Sequence, residues 1–197
     1  LFPYTTLFRS YCLPMEKPEK LAEILFRYEN EPGREIISGA QDAIGICVPG
    51  LVRHYYNGIF WPEEIERVND NSILDWLEAH LCLITLWPRP EGTNLLINTN
   101  ITEPNIASLA AAADKCWAAI MAKDLQAFGA AVTESFEAQV RMFPNMLYDR
   151  ISNVIDQYRD KALGWKLAGA GAGGYLALVV DKQLPDAMRI KIRRWAD

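Results

Sequence analysis

Gly164-Trp165-Lys166-Leu167-Ala168-Gly169-Ala170-Gly171-Ala172-Gly173-Gly174-Tyr175-Leu176-Ala177-Leu178-Val179-Val180 is the stretch that decides the fold. Residues 164–168 and 174–180 read as two strands, and Gly169, Gly171, Gly173 and Gly174 crowd the turn between them. Glycine lets a backbone take positive φ and approach a ligand closely. Successive N–H groups in such a turn can form an anion-binding nest. Gly169, Gly171 and Gly174 also fit GxGxxG, but a dinucleotide fingerprint must run from a strand into a helix. Here YLALVV, a strand, follows. A Walker A loop needs Gly-Lys-Ser/Thr after its glycines, and Tyr175 stands there instead. What remains is a glycine-rich hairpin, either a plain tight turn or a backbone surface packed on a phosphate site.

Upstream, apolar spacing predicts two long helices. Leu109, Ala113, Cys116 and Ile120 mark one, with Thr102 as N-cap and Pro104 in its first turn. After a break at Lys123-Asp124, residues Leu125, Phe128, Val132, Phe136, Val140 and Phe143 mark the next, which Pro144 ends. Both are expected to rest on the sheet that holds the hairpin. Leu147, Ile151, Val154, Ile155 and Tyr158 mark a third helix. LCLITLW, residues 81–87, is a nearly continuous apolar run and reads as an interior strand.

Earlier still, 19–29 reads as a helix, 37–50 holds a short one, and 73–79 another. LVRHYYN (51–57) and IFW (59–61) read as a hairpin turning at Asn57-Gly58. LLINT (95–99) reads as a short extended piece and 184–195 as a closing helix, with Arg189, Lys191, Arg193 and Arg194 on its solvated face. Strands, then a helical layer, then a hairpin make an α+β fold rather than alternating βα units.

The chain has 197 residues, half of them apolar, and a net charge of −5 with both signs interspersed. That argues against a nucleic-acid face. Cys12, Cys47, Cys82 and Cys116 are far apart, with no CxxC pair and only His54 and His80 to join them. No metal site is expected; reduced thiols and a cytoplasmic setting are. No apolar run reaches the roughly 20 residues of a membrane span. The first ten residues, LFPYTTLFRS, resemble a translated sequencing adapter. They are excluded from fold reasoning, and a truncated gene is the expectation they raise.

Lys166-Leu167-Ala168-Gly169-Ala170-Gly171-Ala172-Gly173-Gly174 resembles the third conserved motif of the galactokinase/homoserine/mevalonate/phosphomevalonate (GHMP) kinases. That motif runs Lys-Leu-Ser/Thr-Gly-Ala-Gly-Gly-Gly-Gly before a hydrophobic strand. Ala168 and Ala172 depart from it, the first by lacking the usual hydroxyl. Gly39-Ala40-Gln41-Asp42, followed by Pro49-Gly50 and a strand, is similar to the Gly-x-x-Asp-Gln-like element of the family's sugar kinases, although Ala43 stands where glutamine is usual. Met142-Phe143-Pro144-Asn145 and LCLITLW look like the fucose and heptose-phosphate members.

The resemblance covers about residues 15–197 and implies an organisation. Residues 11–79 would be a remnant of the N-terminal kinase domain. Residues 80–197 would be the C-terminal domain, a ferredoxin-like antiparallel sheet with a helical layer. It implies that Asp42 faces the acceptor hydroxyl of a sugar or sugar phosphate, and that Gly169, Ala170, Gly171, Ala172, Gly173 and Gly174 form the phosphate-facing wall. ATP and magnesium belong to the intact enzyme, because the family's Pro-x-x-x-Gly-Leu-x-Ser-Ser-Ala loop precedes the aspartate and is absent here. The fragment is expected to be inactive alone. Its partner is then a small molecule, not nucleic acid or membrane. The competing reading is a non-enzymatic α+β module that binds a small molecule. The kinase reading expects Asp42 and the turn to share a cleft on the order of 10 Å across. The binding module expects Asp42 and the 169–174 loop to face different directions. Without the resemblance, Asp42 is an ordinary aspartate stabilised by the helix dipole. Arg53, His54, Arg89 and Asn145 stand near predicted element ends, where any could touch a sugar, though each reads first as an ordinary surface group.

Overall fold

The computed structural model describes residues 17–35, 37–89, 91, 94 and 97–194. The opening decapeptide, Cys12, Pro90, Gly92 and Leu95-Leu96 lie outside them. The chain divides into two compact units. One ends at Asp70 and takes in the chain again from Ile192; the other is Asn71–Lys191.

The first unit opens with α1 (Pro18–Glu29) and α2 (Ala40–Cys47). Pro18 suits the first helical turn, where its missing N–H is no loss. Ala22 of α1 meets Ala40 and Ile44 of α2, with Val48 just beyond that helix. Phe26, Val52, Trp61 and Ile65 close around this small core. Strands β1 (Leu51–Tyr55) and β2 (Glu64–Val68) pair antiparallel, with Leu51 opposite Val68 and Tyr55 opposite Glu64. The hairpin is therefore longer than its Asn57-Gly58 signal implied. IFW lies in the connection, and the returning strand, Glu64-Ile65-Glu66-Arg67-Val68, begins after Pro62 with the β-branched Ile65 and Val68 as its apolar residues. A Glu19–Arg67 ion pair of 2.9 Å ties α1 to β2. Tyr28, Tyr56, Ile59 and Phe60 remain open to solvent, the last two at 59% each.

The second unit begins with α3 (Asn71–His80), which runs straight into β3 (Leu81–Thr85). Two long helices follow, α4 (Glu103–Ala122) and α5 (Leu125–Met142). Lys123 takes a left-handed conformation (φ 54°) between them, and the Asp124 side chain caps α5 by accepting from the Ala127 amide at 3.0 Å. A short 3₁₀ turn (Pro144–Met146) leads to α6 (Asp149–Asp156). The chain then forms β4 (Gly164–Leu167), β5 (Tyr175–Val179) and β6 (Met188–Arg189).

The sheet order is β4-β5-β3-β6, and every pairing is antiparallel. This is the expected mixture of helices and antiparallel sheet, with β3 in the interior as its apolar run implied. Leu176, Leu178, Cys82, Leu167, Phe136, Ile151 and Val180 are buried together as its core. Each such side chain contributes about 1.5–3 kcal/mol by leaving water. The expectation that both long helices rest on the sheet is met by α5, which lies across β4. Gly129 of α5 makes that approach possible: a Cβ there would sit 2.6 Å from the Leu163 carbonyl oxygen. The close partner of α4 is α5 itself. On α4 the buried residues are Ala112, Ala119 and Ile120, while Leu109 and Cys116 are half-buried and Ala113 is exposed. Its buried stripe is rotated from the expected one because small alanines, rather than the larger residues, meet α5 closely.

Two further expectations are corrected. No helix spans 184–194. That segment is largely irregular, with Met188 and Arg189 pairing to Leu83 and Cys82. Met188, Ile190 and Ile192 alternate with Arg189, Lys191 and Arg193, and a two-residue period suits a sheet edge better than a helix face. In LLINT, Ile97 and Asn98 form a turn, with Asn98 at φ 58°, rather than an extended piece.

Candidate functional site

The glycine turn joins β4 to β5 as an antiparallel hairpin, with Leu167 opposite Leu176. The Ala168 amide donates to the Tyr175 carbonyl at 2.9 Å and closes its base. Above that base the backbone leaves the usual regions. Gly169 (φ 61°), Gly171 (77°), Ala172 (58°), Gly173 (149°) and Gly174 (83°) all have positive φ, and Ala170 between them does not. Two of these positions need glycine for space as well. A Cβ on Gly173 would sit 2.7 Å from the Trp87 carbonyl oxygen, and one on Gly171 would sit 2.9 Å from the Met146 methyl group. Ala172, buried to 1% exposure, carries its Cβ in a left-handed conformation that costs a non-glycine residue roughly 1–2 kcal/mol.

Neighbouring segments hold this strained backbone. Arg89 Nε donates to the Gly171 carbonyl at 3.1 Å. The Tyr148 hydroxyl donates to the Ala172 carbonyl at 3.4 Å and accepts from Trp87 Nε1 at 2.5 Å. The Ala172 amide donates to the Met146 carbonyl, the Gly174 amide to that of Trp87, and the Leu86 amide to that of Gly174. The amides of Gly169, Ala170, Gly171 and Gly173 have no hydrogen-bond partner among the described residues. Gly169, Ala170 and Gly171 alternate in the sign of φ, the geometry that converges successive N–H groups on an anion. The turn is thus a set of directed donors on a braced frame.

Lys166, the first residue of the resembling motif, is turned elsewhere. Its Nζ donates to Gln139 Oε1 at 2.6 Å and to Ser135 Oγ at 3.3 Å, both on α5. Burial pushes its ammonium pKa down, partly offset by the nearby Cys116 thiol. Burial pushes the Cys116 thiol up to about 11. The lysine pins strand to helix.

Asp42 lies in the first unit, exposed in the first turn of α2. It sits beside Glu29, whose carboxyl is raised above its ordinary value by burial first and by the Asp42 charge second, with Arg34 acting the other way. Arg34 also donates to the Glu29 carbonyl. The structure therefore gathers the six turn residues into one feature of the second unit and places Asp42 on a helix N-terminus of the first. In the sequence Trp87 reads as part of a strand and Arg89 as a polar group near an element end, and nothing singles out Tyr148. Their role at the turn arises from contacts 24 to 82 residues apart, which no local pattern encodes. Asn145, also read as a surface group, donates to the carbonyls of Asn94 and Ile97 and so braces the loop before α4.

No family model matches the sequence, and no curated protein does. Solved structures do resemble the chain. A mevalonate kinase superposes with a TM-score of 0.63 and 17% identity, covering 87% of this chain and 52% of its own. A Campylobacter jejuni protein assigned as a sugar kinase gives 0.60 and 20%, covering 89% and 51%. A D-glycero-D-manno-heptose 1-phosphate kinase from Bacteroides thetaiotaomicron gives 0.54 and 14%, covering 90% and 49%. The fold is that of the GHMP kinases, and the chain spans about half the length of these structures. Among the described residues no helix is long and apolar enough to cross a membrane.

Proposed function

We propose that this chain is the C-terminal part of a GHMP-type small-molecule kinase. In the intact enzyme it would serve ATP-dependent phosphorylation of a hydroxyl on a sugar or sugar phosphate in the cytoplasm. The observation that carries the reading is the hairpin of Gly169–Gly174, with unpartnered amides and positive φ, in the fold of small-molecule kinases. Coverage of only half of each neighbour and the open apolar residues of the first unit support the view that a further segment belongs with it.

Phosphoryl transfer is mostly positioning and charge stabilisation. Bound ATP supplies the phosphoryl group and, as ADP, the leaving group. The amides of Gly169, Ala170 and Gly171 suit phosphate oxygens, so the residues present fit that part of the nucleotide or product. The described residues bring together no group of three or more His, Cys, Asp or Glu. Magnesium beside a nucleotide is held largely by phosphate oxygens, water and one or two carboxylates, so it would enter with bound ATP. Asp42 orients the acceptor hydroxyl and takes its proton as the oxygen attacks phosphorus. Its exposure leaves the carboxylate accessible to a substrate.

The test joins the upstream half of a full-length sugar kinase of this fold to the present chain. ATP-dependent phosphorylation is then assayed over free sugars and sugar phosphates. One good acceptor is expected, and the 197-residue chain alone should show no turnover. A restored enzyme that is folded, binds nucleotide and phosphorylates nothing in that panel removes the sugar assignment.

A further inference from the structure

We propose that the Asn30 side chain is a positioning residue for Asp42: it holds the first turn of α2, and with it the carboxylate, against the end of α1. The base role of Asp42 rests on the kinase reading above; the clamp that holds it does not.

The Asp42 carboxylate makes no hydrogen bond or ion pair among the described residues, so its place is set by its backbone. That backbone is the first turn of an eight-residue helix, where the leading amides lack intrahelical partners. Gly39 at the N-cap brings no side chain to meet them. Such a turn frays unless the chain entering it is held. Asn30, which ends α1, supplies the hold. Its Oδ1 accepts from the Ser38 amide at 2.7 Å, and its Nδ2 donates to the Ser38 carbonyl at 3.3 Å. The same Nδ2 donates to the Phe26 carbonyl, in the last turn of α1, at 2.8 Å. One carboxamide thus ties the residue before the N-cap of α2 to the end of α1. A residue that only ended α1 would need no more than its bond to Phe26. The two bonds to Ser38 reach forward to the element that carries Asp42.

The loop between is fastened as well. The Arg34 amide donates to the Glu31 carbonyl at 3.2 Å, and the Arg34 guanidinium donates to the Glu29 carbonyl. Glu29 registers the result. Its carboxyl is raised by burial first and by the Asp42 charge second, so the end of α1 and the start of α2 sense each other. Asparagine suits the clamp because it sets a donor beside an acceptor. Aspartate would turn an oxygen toward two carbonyls, and glutamine would carry the amide one methylene too far.

The first arm of the experiment uses the isotope-labelled 197-residue chain. Backbone order parameters of residues 39–42 are expected at about 0.85, falling toward about 0.6 in Asn30→Ala while β1 and β2 keep theirs. The second arm uses the restored enzyme. Asn30→Ala should lower kcat by about 10–100-fold, the range for a small misplacement of a reacting group. Acceptor KM should stay within about 2-fold, because the base acts only in the transition state. Added to Asp42→Asn, the same substitution should cost less than about 2-fold more, because Asn30 acts through the carboxylate. A purely structural loss would shrink the active fraction equally in both backgrounds. If Asn30→Ala unfolds the first unit, Asn30→Asp, which keeps the size and loses both donated bonds, decides by the same readouts. Unchanged order parameters overturn the inference on the chain alone. So does an equal loss of kcat with and without the Asp42 carboxylate. If Asp42→Asn lowers kcat and Asn30→Ala does not, this inference fails alone. If Asp42→Asn leaves kcat unchanged, the base assignment fails and this inference with it.

Discussion

Ala172 is the residue at which sequence and backbone conflict most openly. It stands where the resembling motif has glycine, yet it keeps φ at 58°. Ala172→Gly should therefore stabilise the chain by up to about 1 kcal/mol, because strain relief exceeds the added unfolded-state entropy. Denaturant unfolding checks this, and a lower midpoint would mean that the buried Cβ packs more than it strains. Asp42 offers a test of its own surroundings. Glu29 has its carboxyl raised by burial and by Asp42. A carboxyl raised in the folded state adds stability below its unfolded pKa and loses that contribution as pH rises through the folded value. Ionised Glu29 thus opposes folding at neutral pH. Asp42→Asn should move the Glu29 titration down toward its ordinary value and raise neutral-pH stability slightly. A carbon-detected NMR titration in which Glu29 does not move would show that the two carboxylates do not sense each other.

Among the elements, α5 meets β4 at close range. Gly129 and Gly164 face each other there without side chains, and a Cβ on Gly164 would meet the Gly129 backbone. Gly164→Ala should cost roughly 2–4 kcal/mol, because backbone rather than a flexible side chain must give way. Thermal unfolding measures it, and a change below about 0.5 kcal/mol would mean the helix can shift off the strand. Elements of this kind were legible where the chain carries a strong local signal. LCLITLW gave β3, the Lys123-Asp124 break separated α4 from α5, and the glycine spacing gave the hairpin. They were illegible where two periods compete. Met188 to Arg194 carries basic residues that suit a helix face, but its apolar residues alternate and β3 offers an open edge. β2 was displaced because Asn57-Gly58 signals a tight turn, whereas the strand that buries Ile65 beside Trp61 starts only after Pro62. The site divides in the same way. Its glycines are local and readable, but Arg89 and Tyr148 reach the turn only through folding.

At the scale of the whole molecule, the α+β chain has the fold of solved small-molecule kinases. Half the length of the structures it resembles is present. The measurement that tests the account most directly is the turnover of the restored enzyme with Asp42 and with Asp42→Asn. The substitution keeps the side chain's shape and removes its ability to take a proton. ATP-dependent product formation with a sugar or sugar phosphate is predicted, with kcat falling about 10²–10⁴-fold in Asp42→Asn, the usual worth of a general base. Unchanged kcat in Asp42→Asn would contradict the role given to that residue. A folded, nucleotide-binding enzyme that phosphorylates no hydroxyl compound would contradict the kinase reading itself.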